Sequence, residues 1–161
     1  ELSRIESGNM SFHCEDCSAH HFAETVYQTH QVIILPPVEF IKEFPDEDVT
    51  IHIDRMRLTQ VITNFLGNAK KFTAQGHIKL GYFCDKEKKE IHFFVEDTGA
   101  GIPKEELQMI FERFYKRNEF VQGVGLGLAI SKVIVEKMNG HIDVQSEVNK
   151  GSRFTAVLPY L

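Results

Sequence analysis

The chain has no tryptophan, three cysteines among its 161 residues and no long apolar run. Three cysteines do not make a disulfide framework. The run of aliphatic residues at 32–35 is stopped at once by Pro36-Pro37, far short of the roughly 20 residues that span a bilayer. The first residues carry no signal-peptide pattern. These absences exclude a small disulfide-rich protein and a helical membrane span within this sequence.

Basic residues are also in the minority. Eighteen Lys and Arg face 23 Asp and Glu, which gives a net charge of -5, and this argues against broad binding of nucleic acid or anionic membranes. The length suggests one domain that can bury a real core. Because the chain begins at Glu1 rather than Met, we expect it to be a piece of a larger protein.

The few cysteines leave one metal hypothesis open. Cys14 and Cys17 form a C-x-x-C pair with His13, His20 and His21 nearby, and thiolate and imidazole are ligands that zinc prefers. No second ligand pair stands at zinc-finger spacing. We therefore favour a half-buried strand over residues 10–14, followed by Cys17 as a small apolar residue before a helix.

Two helices are predicted in the first half of the chain. Ser18 or Asp16 can cap the first, which Pro36-Pro37 ends. Its apolar side holds Phe22, Val26 and Ile33. Asp54 is a good cap for the second. The apolar stripe of this helix holds Leu58, Val61, Ile62, Phe65, Leu66 and Ala69, at helical spacing.

Alternating apolar residues predict further strands over 38–44, 49–53, 78–82, 91–95, 141–146 and 153–158. Pro103 suits a helix start, a loop follows over 113–124, and Asn139-Gly140 closes a last helix over 126–138. Several strand pairs are hairpins. The sequence therefore predicts an α+β fold, a two-layer α/β sandwich whose mixed, mostly antiparallel sheet is covered on one face by helices.

A polar line runs beside the apolar stripe of the second helix. Asn64, Asn68 and Lys71 recur at i, i+4 and i+7, although Asn is a poor residue for a helix interior. In register they could present amide oxygens to a metal and an ammonium to phosphate. The alternative is a solvated helix edge.

A carboxylate stands at the end of the 91–95 strand. Asp97 has the parity of the buried residues before it, so it points to the buried face, where a carboxylate needs hydrogen-bond donors. A purine amino group would meet that need, and Gly99 and Gly101 would let the backbone pass close to a flat ligand. The alternative is a tight turn with an Asp cap.

A glycine-rich segment opens the last helix, with the residues Gly123, Val124, Gly125, Leu126, Gly127 and Leu128. Such a backbone can approach phosphate at a helix N-terminus. It is neither a Walker loop nor a dinucleotide fingerprint. The alternative is a flexible hinge. The cations Arg113, Lys116 and Arg117 precede it and could hold outer phosphates, or could form a solvated face.

Taken together and in this order, these motifs resemble the sensor histidine kinase family of the GHKL ATPase superfamily. Residues 57–73 look like its N box, and the segments from Asp97 and from Gly123 look like its glycine boxes. The F box between them is similar to the residues Phe111, Glu112, Arg113, Phe114, Tyr115, Lys116 and Arg117. Residues 150–154 resemble a final glycine box. The opening residues 1–8 resemble the end of the family's helical hairpin, which leaves 9–161 as the catalytic domain.

The resemblance implies ATP and Mg²⁺ as cofactors and the Bergerat fold. Asn68 would hold Mg²⁺, Asn64 and Lys71 would contact phosphates, and Phe72 would line the pocket. Asp97 would accept from the adenine amino group, with Ser152 assisting through water. The adenine floor would be shaped by Gly99, Gly101 and Ile102. The mobile ATP lid and the triphosphate contacts would come from Arg113, Phe114, Tyr115, Lys116, Arg117, Gly123, Val124, Gly125, Leu126, Gly127 and Leu128.

The family's phosphoacceptor, a histidine followed by an acidic residue, fits none of the eight histidines. We therefore expect it upstream of Glu1, on the hairpin of the same kinase, with relay to a response regulator. The resemblance also implies a homodimer through the hairpin, a monomeric fragment, no nucleic-acid partner and a place on the cytoplasmic side of the bacterial inner membrane. The rivals are the mismatch-repair, gyrase and heat-shock-chaperone relatives, and a nucleotide-binding docking module without catalysis.

Overall fold

The computed structural model describes residues 11–112 and 127–160. Its strands are β1 (Glu15–Ser18), β2 (Val38–Glu43), β3 (Thr50–Ile53), β4 (Gly76–Asp85), β5 (Glu90–Asp97), β6 (His141–Glu147) and β7 (Gly151–Pro159). Its α-helices are α1 (Ala19–Gln31), α2 (Arg55–Phe72) and α3 (Gly127–Lys137).

Five strands form one sheet in the order β2-β4-β5-β7-β6, and β1 pairs with β3 in a small second sheet. Only the β2–β4 pair is parallel in the five-stranded sheet. Antiparallel pairs such as β4–β5 need only a tight turn, whereas β2 and β4 are joined through β3 and α2. The predicted α+β sandwich with a mixed, mostly antiparallel sheet is confirmed.

The core lies between the helices and one face of this sheet. The whole predicted apolar stripe of α2 is buried. Aromatic pairs join the two layers: Phe65 of α2 meets Phe154 of β7 with ring centroids 5.4 Å apart, and Phe22 of α1 meets Phe93 of β5 at 5.3 Å. Rings at this separation attract one another beyond their burial. These contacts join α2 to β7 and α1 to β5.

The predicted helix ends are largely confirmed. The Ser18 hydroxyl, not Asp16, caps α1 by accepting from the His21 amide at 3.0 Å. Asp54 caps α2, accepting from the Arg57 amide at 3.1 Å. At the end of α3, Asn139 takes a left-handed φ of 65° and the Gly140 amide bonds to the Val135 carbonyl, the helix-closing geometry expected there.

Three local predictions were wrong. Residues 11–14 form no strand, because pairing with β3 places Cys17 opposite Ile51 and starts β1 only at Glu15. Helix α1 ends at Gln31, and the chain turns so that Ile34 is buried while Ile33 is 43% exposed. After Pro103 there is a single 3-10 turn, Lys104–Glu106, rather than a longer helix.

Two further sequence predictions concerned a metal site at the cysteine pair and a membrane-spanning helix. Cys17 is buried and Cys14 is exposed, and the part of the chain that the structure describes contains no cluster of three His, Cys, Asp or Glu placed to hold a metal ion. Over 11–112 and 127–160, no helix is long and apolar enough to cross a membrane.

Candidate functional site

The polar line of α2 runs along the edge of the core, as its spacing predicts. Asn64 and Asn68 are half-buried and Lys71 is exposed. Asn64 reaches across to α3: its side-chain nitrogen donates to the Gly127 carbonyl at 3.1 Å and to the Ser131 hydroxyl at 3.0 Å. Both hydrogens of its amide are then used within the protein. The contact that Asn64 can still offer a ligand is through its oxygen.

Asn68 stands one helical turn further along α2 and differs from Asn64. Among the described residues its side chain makes no hydrogen bond, although it is half-buried at the same edge. An amide oxygen is a ligand that Mg²⁺ accepts, and Mg²⁺ bound with a nucleotide needs only one or two protein oxygens. Asn68 therefore fits a magnesium ligand, whereas Asn64 is already committed to α3.

The C-terminal end of α2 touches the loop that follows β5. The Ala100 amide donates to the Phe72 carbonyl at 3.2 Å. A side chain at Gly99 would lie 2.3 Å from that same carbonyl oxygen, so the close approach requires glycine. Two separate sequence motifs, the asparagine helix and the Asp97 loop, are thus parts of one site. Phe72 itself is half-buried beside the junction.

Asp97 lies at the centre of this junction and is only 8% exposed. Its carboxylate accepts from the Gly99 amide at 2.8 Å. Burial raises the pKa of the carboxyl above its ordinary value, and the amides of Gly99 and Ser152 and the hydroxyl of Thr73 act in the opposite direction. A buried carboxylate with a raised pKa, at a point where α2, the loop after β5 and β7 meet, favours a functional group over a plain helix cap.

Thr73, directly after α2, was not predicted from the sequence. Its hydroxyl is fully buried and has no hydrogen-bond partner among the described residues. It is close enough to Asp97 to lower the pKa of that carboxyl, yet the two groups do not meet hydrogen-bond geometry in this structure. An unpaired buried hydroxyl costs stability, so its position beside Asp97 calls for a functional reason.

Two glycines fix how the loop and the final hairpin meet. Gly101 has a φ of 73°, and a side chain there would lie 2.0 Å from the Glu147 carbonyl oxygen of β6. Gly151 has a φ of 124°, and a side chain there would lie 1.9 Å from the Asp97 carbonyl oxygen. Only glycine suits either position. Ile102 is buried in the core below the loop.

Ser152 lies directly opposite Asp97 in the β5–β7 ladder and is 9% exposed. Its hydroxyl oxygen is 2.8 Å from that of Ser146, which also accepts from the Ile102 amide at 2.7 Å. Ser146 was missed by the sequence reasoning. No local signal marks it, because its role depends on three segments that only the fold brings together.

The remaining predicted site residues divide into two groups. Gly127 opens α3 beside Asn64, and Leu128 is half-buried against the core. The others lie outside the described residues: Arg113, Phe114, Tyr115, Lys116, Arg117, Gly123, Val124, Gly125 and Leu126. The described geometry alone offers a buried acceptor at Asp97, glycines that let the loop after β5 pack against the Phe72 and Glu147 carbonyls, and an unengaged amide oxygen at Asn68 on α2.

The fold and the arrangement of the site agree with one protein family. Residues 53–161 match the family of histidine kinase-, DNA gyrase B- and HSP90-like ATPases. The chain belongs to that family, and its predicted resemblance to the histidine kinase branch is confirmed by its relatives and by solved structures.

Among curated relatives, the chain is 33% identical over 165 residues to the sensor histidine kinase WalK of Bacillus subtilis (strain 168). It is 44% identical over 110 residues to the sensor protein SrrB of Staphylococcus aureus (strain NCTC 8325 / PS 47). The matches cover 99% and 66% of this chain, but 27% and 19% of the relatives. The chain therefore spans about a quarter or less of the curated relatives it matches.

Two solved structures have the same fold as this chain. Full-length ShkA in complex with AMPPNP superposes with a TM-score of 0.90 at 27% identity, over 99% of this chain and 34% of that one. The nucleotide-free catalytic domain of histidine kinase ThkA superposes with a TM-score of 0.81 at 28% identity, over 92% of this chain and 97% of that one. The likeness to ThkA covers an almost complete catalytic domain.

Proposed function

We propose that this chain is the catalytic ATP-binding domain of a two-component sensor histidine kinase, and that it binds Mg-ATP in the junction between α2, the 97–102 loop and β7. The observation that carries the proposal is Asp97, a buried acceptor at the point where these segments meet. The likeness to full-length ShkA, solved in complex with AMPPNP, supports it.

Each described residue has a separate task in this proposal. Asp97 accepts a hydrogen bond from the adenine amino group, and Gly99 and Gly101 let the loop after it pack tightly against the Phe72 and Glu147 carbonyls, which holds that loop in place. Asn68 is the protein ligand of Mg²⁺, and Lys71 contacts the phosphates. When bound, Mg²⁺ neutralises phosphate charge. Asn64 has its nitrogen engaged with α3, so it contributes through its amide oxygen and by holding the start of α3.

The reaction is transfer of the γ-phosphoryl group to histidine. The bond between the γ-phosphorus and the β,γ-bridging oxygen breaks, a bond from a histidine nitrogen to that phosphorus forms, and ADP leaves. The protein contributes mainly positioning and charge neutralisation. By family resemblance we expect Arg113, Lys116 and Arg117 to contact the outer phosphates and the glycines of 123–127 to contact the triphosphate; of these residues only Gly127 lies within the described part of the chain.

The acceptor histidine lies on a helical hairpin of the same kinase, of which residues 1–8 are the end. None of the eight histidines here is followed by an acidic residue. The hairpin also makes the homodimer, so the isolated chain is a monomer. The phosphate then passes to an aspartate of a response regulator, on the cytoplasmic side of the bacterial inner membrane.

A transfer assay with γ-labelled ATP tests this function. The chain alone should bind ATP without gaining an acid-labile, base-stable phosphate. Adding the hairpin domain should give labelled hairpin, slowly, because tethering normally supplies a high effective concentration. Asn68→Ala should abolish transfer, whereas Thr63→Ala, an exposed position on the same helix, should not.

Two results would overturn the proposal. A histidine phosphate on the isolated chain would place the acceptor here, with His20, His21 or His30 as suspects. ATP binding without transfer to the hairpin would favour a docking module that has lost catalysis.

A further inference from the structure

The Ser146 hydroxyl lies where three segments of the nucleotide site meet. It accepts from the Ile102 amide at 2.7 Å, lies 3.0 Å from the Gly151 carbonyl oxygen, and lies 2.8 Å from the Ser152 hydroxyl oxygen. Ile102 is 44 residues away along the chain. One small side chain therefore joins the loop after β5 to both strands of the β6–β7 hairpin.

The middle of the loop, at Ala100 and Gly101, is held by backbone contacts, and Ser146 adds a side-chain contact at Ile102. Ala100 is bonded on both sides: its amide donates to Phe72 at 3.2 Å, and its carbonyl accepts from the Asn149 amide at 2.7 Å. Gly101 packs directly against the Glu147 carbonyl. The Ile102 amide, at the end of the loop, bonds to the Ser146 side chain instead. Removing that hydroxyl would leave a half-buried amide without this partner.

The donor count fixes the direction of the hydrogen bonds around Ser146. A serine hydroxyl has one hydrogen and two lone pairs. The Ile102 amide uses one lone pair. The Gly151 carbonyl can only accept, so the Ser146 hydrogen points to it in the arrangement that forms all three bonds. The Ser152 hydroxyl must then donate to the second lone pair of Ser146.

These hydrogen-bond directions determine what Ser152 can offer a ligand. Its only hydrogen is directed at Ser146, so its lone pairs alone remain for the site. Ser152 stands opposite Asp97 on the neighbouring strand, and side chains so paired lie on the same face of the sheet, with Cβ atoms roughly 5 Å apart. The site therefore presents two neighbouring acceptors, a carboxylate and a hydroxyl oxygen.

We propose that Ser146 is a positioning residue that determines base preference. It holds the loop at Ile102 and keeps Ser152 an acceptor beside Asp97. The inference rests on the proposed nucleotide site and adds a specificity mechanism to it. Two acceptors suit an exocyclic amino group, which has two hydrogens to donate. Guanine offers a carbonyl at that position, which would face two acceptors without a hydrogen between them.

Calorimetry of Ser146→Ala with ATP and with GTP tests the inference. Losing the Ser146 bonds should weaken ATP binding roughly tenfold and reduce the ratio of ATP to GTP affinity, since Ser152 could then donate as well as accept. Ser146→Thr, which retains a hydroxyl, should restore much of that ratio. Gln145→Ala, the exposed neighbour in β6, should change neither quantity.

Hydrogen exchange separates positioning from a general loss of stability. The Ile102 amide should exchange faster in Ser146→Ala than in the wild type at equal global stability. An unchanged ATP-to-GTP affinity ratio in Ser146→Ala, including the case in which both nucleotides bind more weakly by the same factor, would overturn the inference. If Ser146→Ala does not fold, Ser152→Ala carries the same test of the ratio. Failure of the wild-type chain to bind ATP would instead overturn the proposed function.

Discussion

At the scale of single residues, the burial of Asp97 serves the proposed ligand contact but lowers the stability of the fold when the carboxyl is ionised. Its burial raises the pKa of the carboxyl, which means that the folded chain holds the ionised form at a cost. A group with a raised folded pKa stabilises the fold fully below its unfolded pKa and loses that contribution as pH rises through the folded pKa. Above the folded pKa the free protein therefore bears the cost of a charge whose purpose is to accept from a ligand.

Asp97→Asn should consequently separate binding from stability. Near pH 7 we expect ATP affinity to fall roughly tenfold or more, because a charged acceptor is lost. The melting temperature of the nucleotide-free chain should not fall, because the Asn oxygen can still accept from the Gly99 amide. Calorimetry and thermal denaturation measure the two effects. A large fall in melting temperature with ATP affinity retained would show that Asp97 is structural.

Substitution of Thr73 should shift the pH dependence of ATP binding in a defined direction. Its hydroxyl lowers the pKa of the Asp97 carboxyl, so Thr73→Val should raise that pKa. ATP binding needs the ionised carboxylate, and its loss on acidification should therefore begin at a higher pH in Thr73→Val than in the wild type. Thr73→Ser should follow the wild type. Coincident affinity-against-pH curves for Thr73→Val and the wild type would show that Thr73 does not act on Asp97.

At the scale of elements, glycines in α2 and in the 97–102 loop have opposite roles. Gly67 lies inside α2 with no atom within 4 Å of an added Cβ, whereas Gly101 has a positive φ and faces the Glu147 carbonyl. Gly67→Ala should stabilise the chain by roughly 0.5–1 kcal/mol. Gly101→Ala should destabilise it by roughly 2 kcal/mol or more. Urea denaturation measures both, and equal effects would contradict the loop geometry.

The link between α2 and α3 is a second prediction at this scale. Asn64 satisfies the Gly127 carbonyl and the fully buried Ser131 hydroxyl. Asn64→Ala leaves both without this partner, so we expect a loss of about 1–3 kcal/mol of unfolding free energy. Thr63→Ala, on the exposed side of the same helix, should stay within about 0.5 kcal/mol of the wild type. Similar values for the two variants in urea would contradict the link.

The sequence predicted well wherever one element determines the outcome. The buried stripe of α2 follows from helical spacing, and the Asp54 cap from one side chain beside a helix start. The burial of Asp97 follows from strand parity. The prediction of a strand over 10–14 failed because pairing with β3, a long-range contact, decides where β1 begins. The prediction that Ile33 lies on the apolar side of α1 failed for a related reason, because the chain turns after α1 and buries Ile34 instead.

Site residues that depend on several elements could not be predicted. Ser146 is one polar residue in an alternating strand, and Thr73 is one residue past a helix end. Their roles arise only when β6, β7, α2 and the 97–102 loop come together. Asn64 was predicted at the site for phosphate contact, and its bonds to α3 could not be foreseen, because they join residues 63 and 67 positions apart.

At the scale of the whole molecule, the fold gathers distant segments on one side of the sheet. The α2 helix supplies Asn68, β5 leads into Asp97, and the β6–β7 hairpin supplies Ser146 and Ser152. The helices cover one sheet face, while the opposite face carries half-exposed charged residues such as Lys79 and Glu96. A nucleotide should therefore affect one side of the molecule and leave the other unchanged.

Amide chemical shifts recorded during a titration with Mg-ATP test this central claim most directly. The account predicts that the largest changes fall on Asn68, Thr73, Gly99, Gly101 and Ser152, at one stoichiometric site. Amides of residues in the middle of β4 and β5 whose side chains lie on the opposite sheet face should change little. Changes concentrated on that opposite face, or no saturable change at all, would contradict the account.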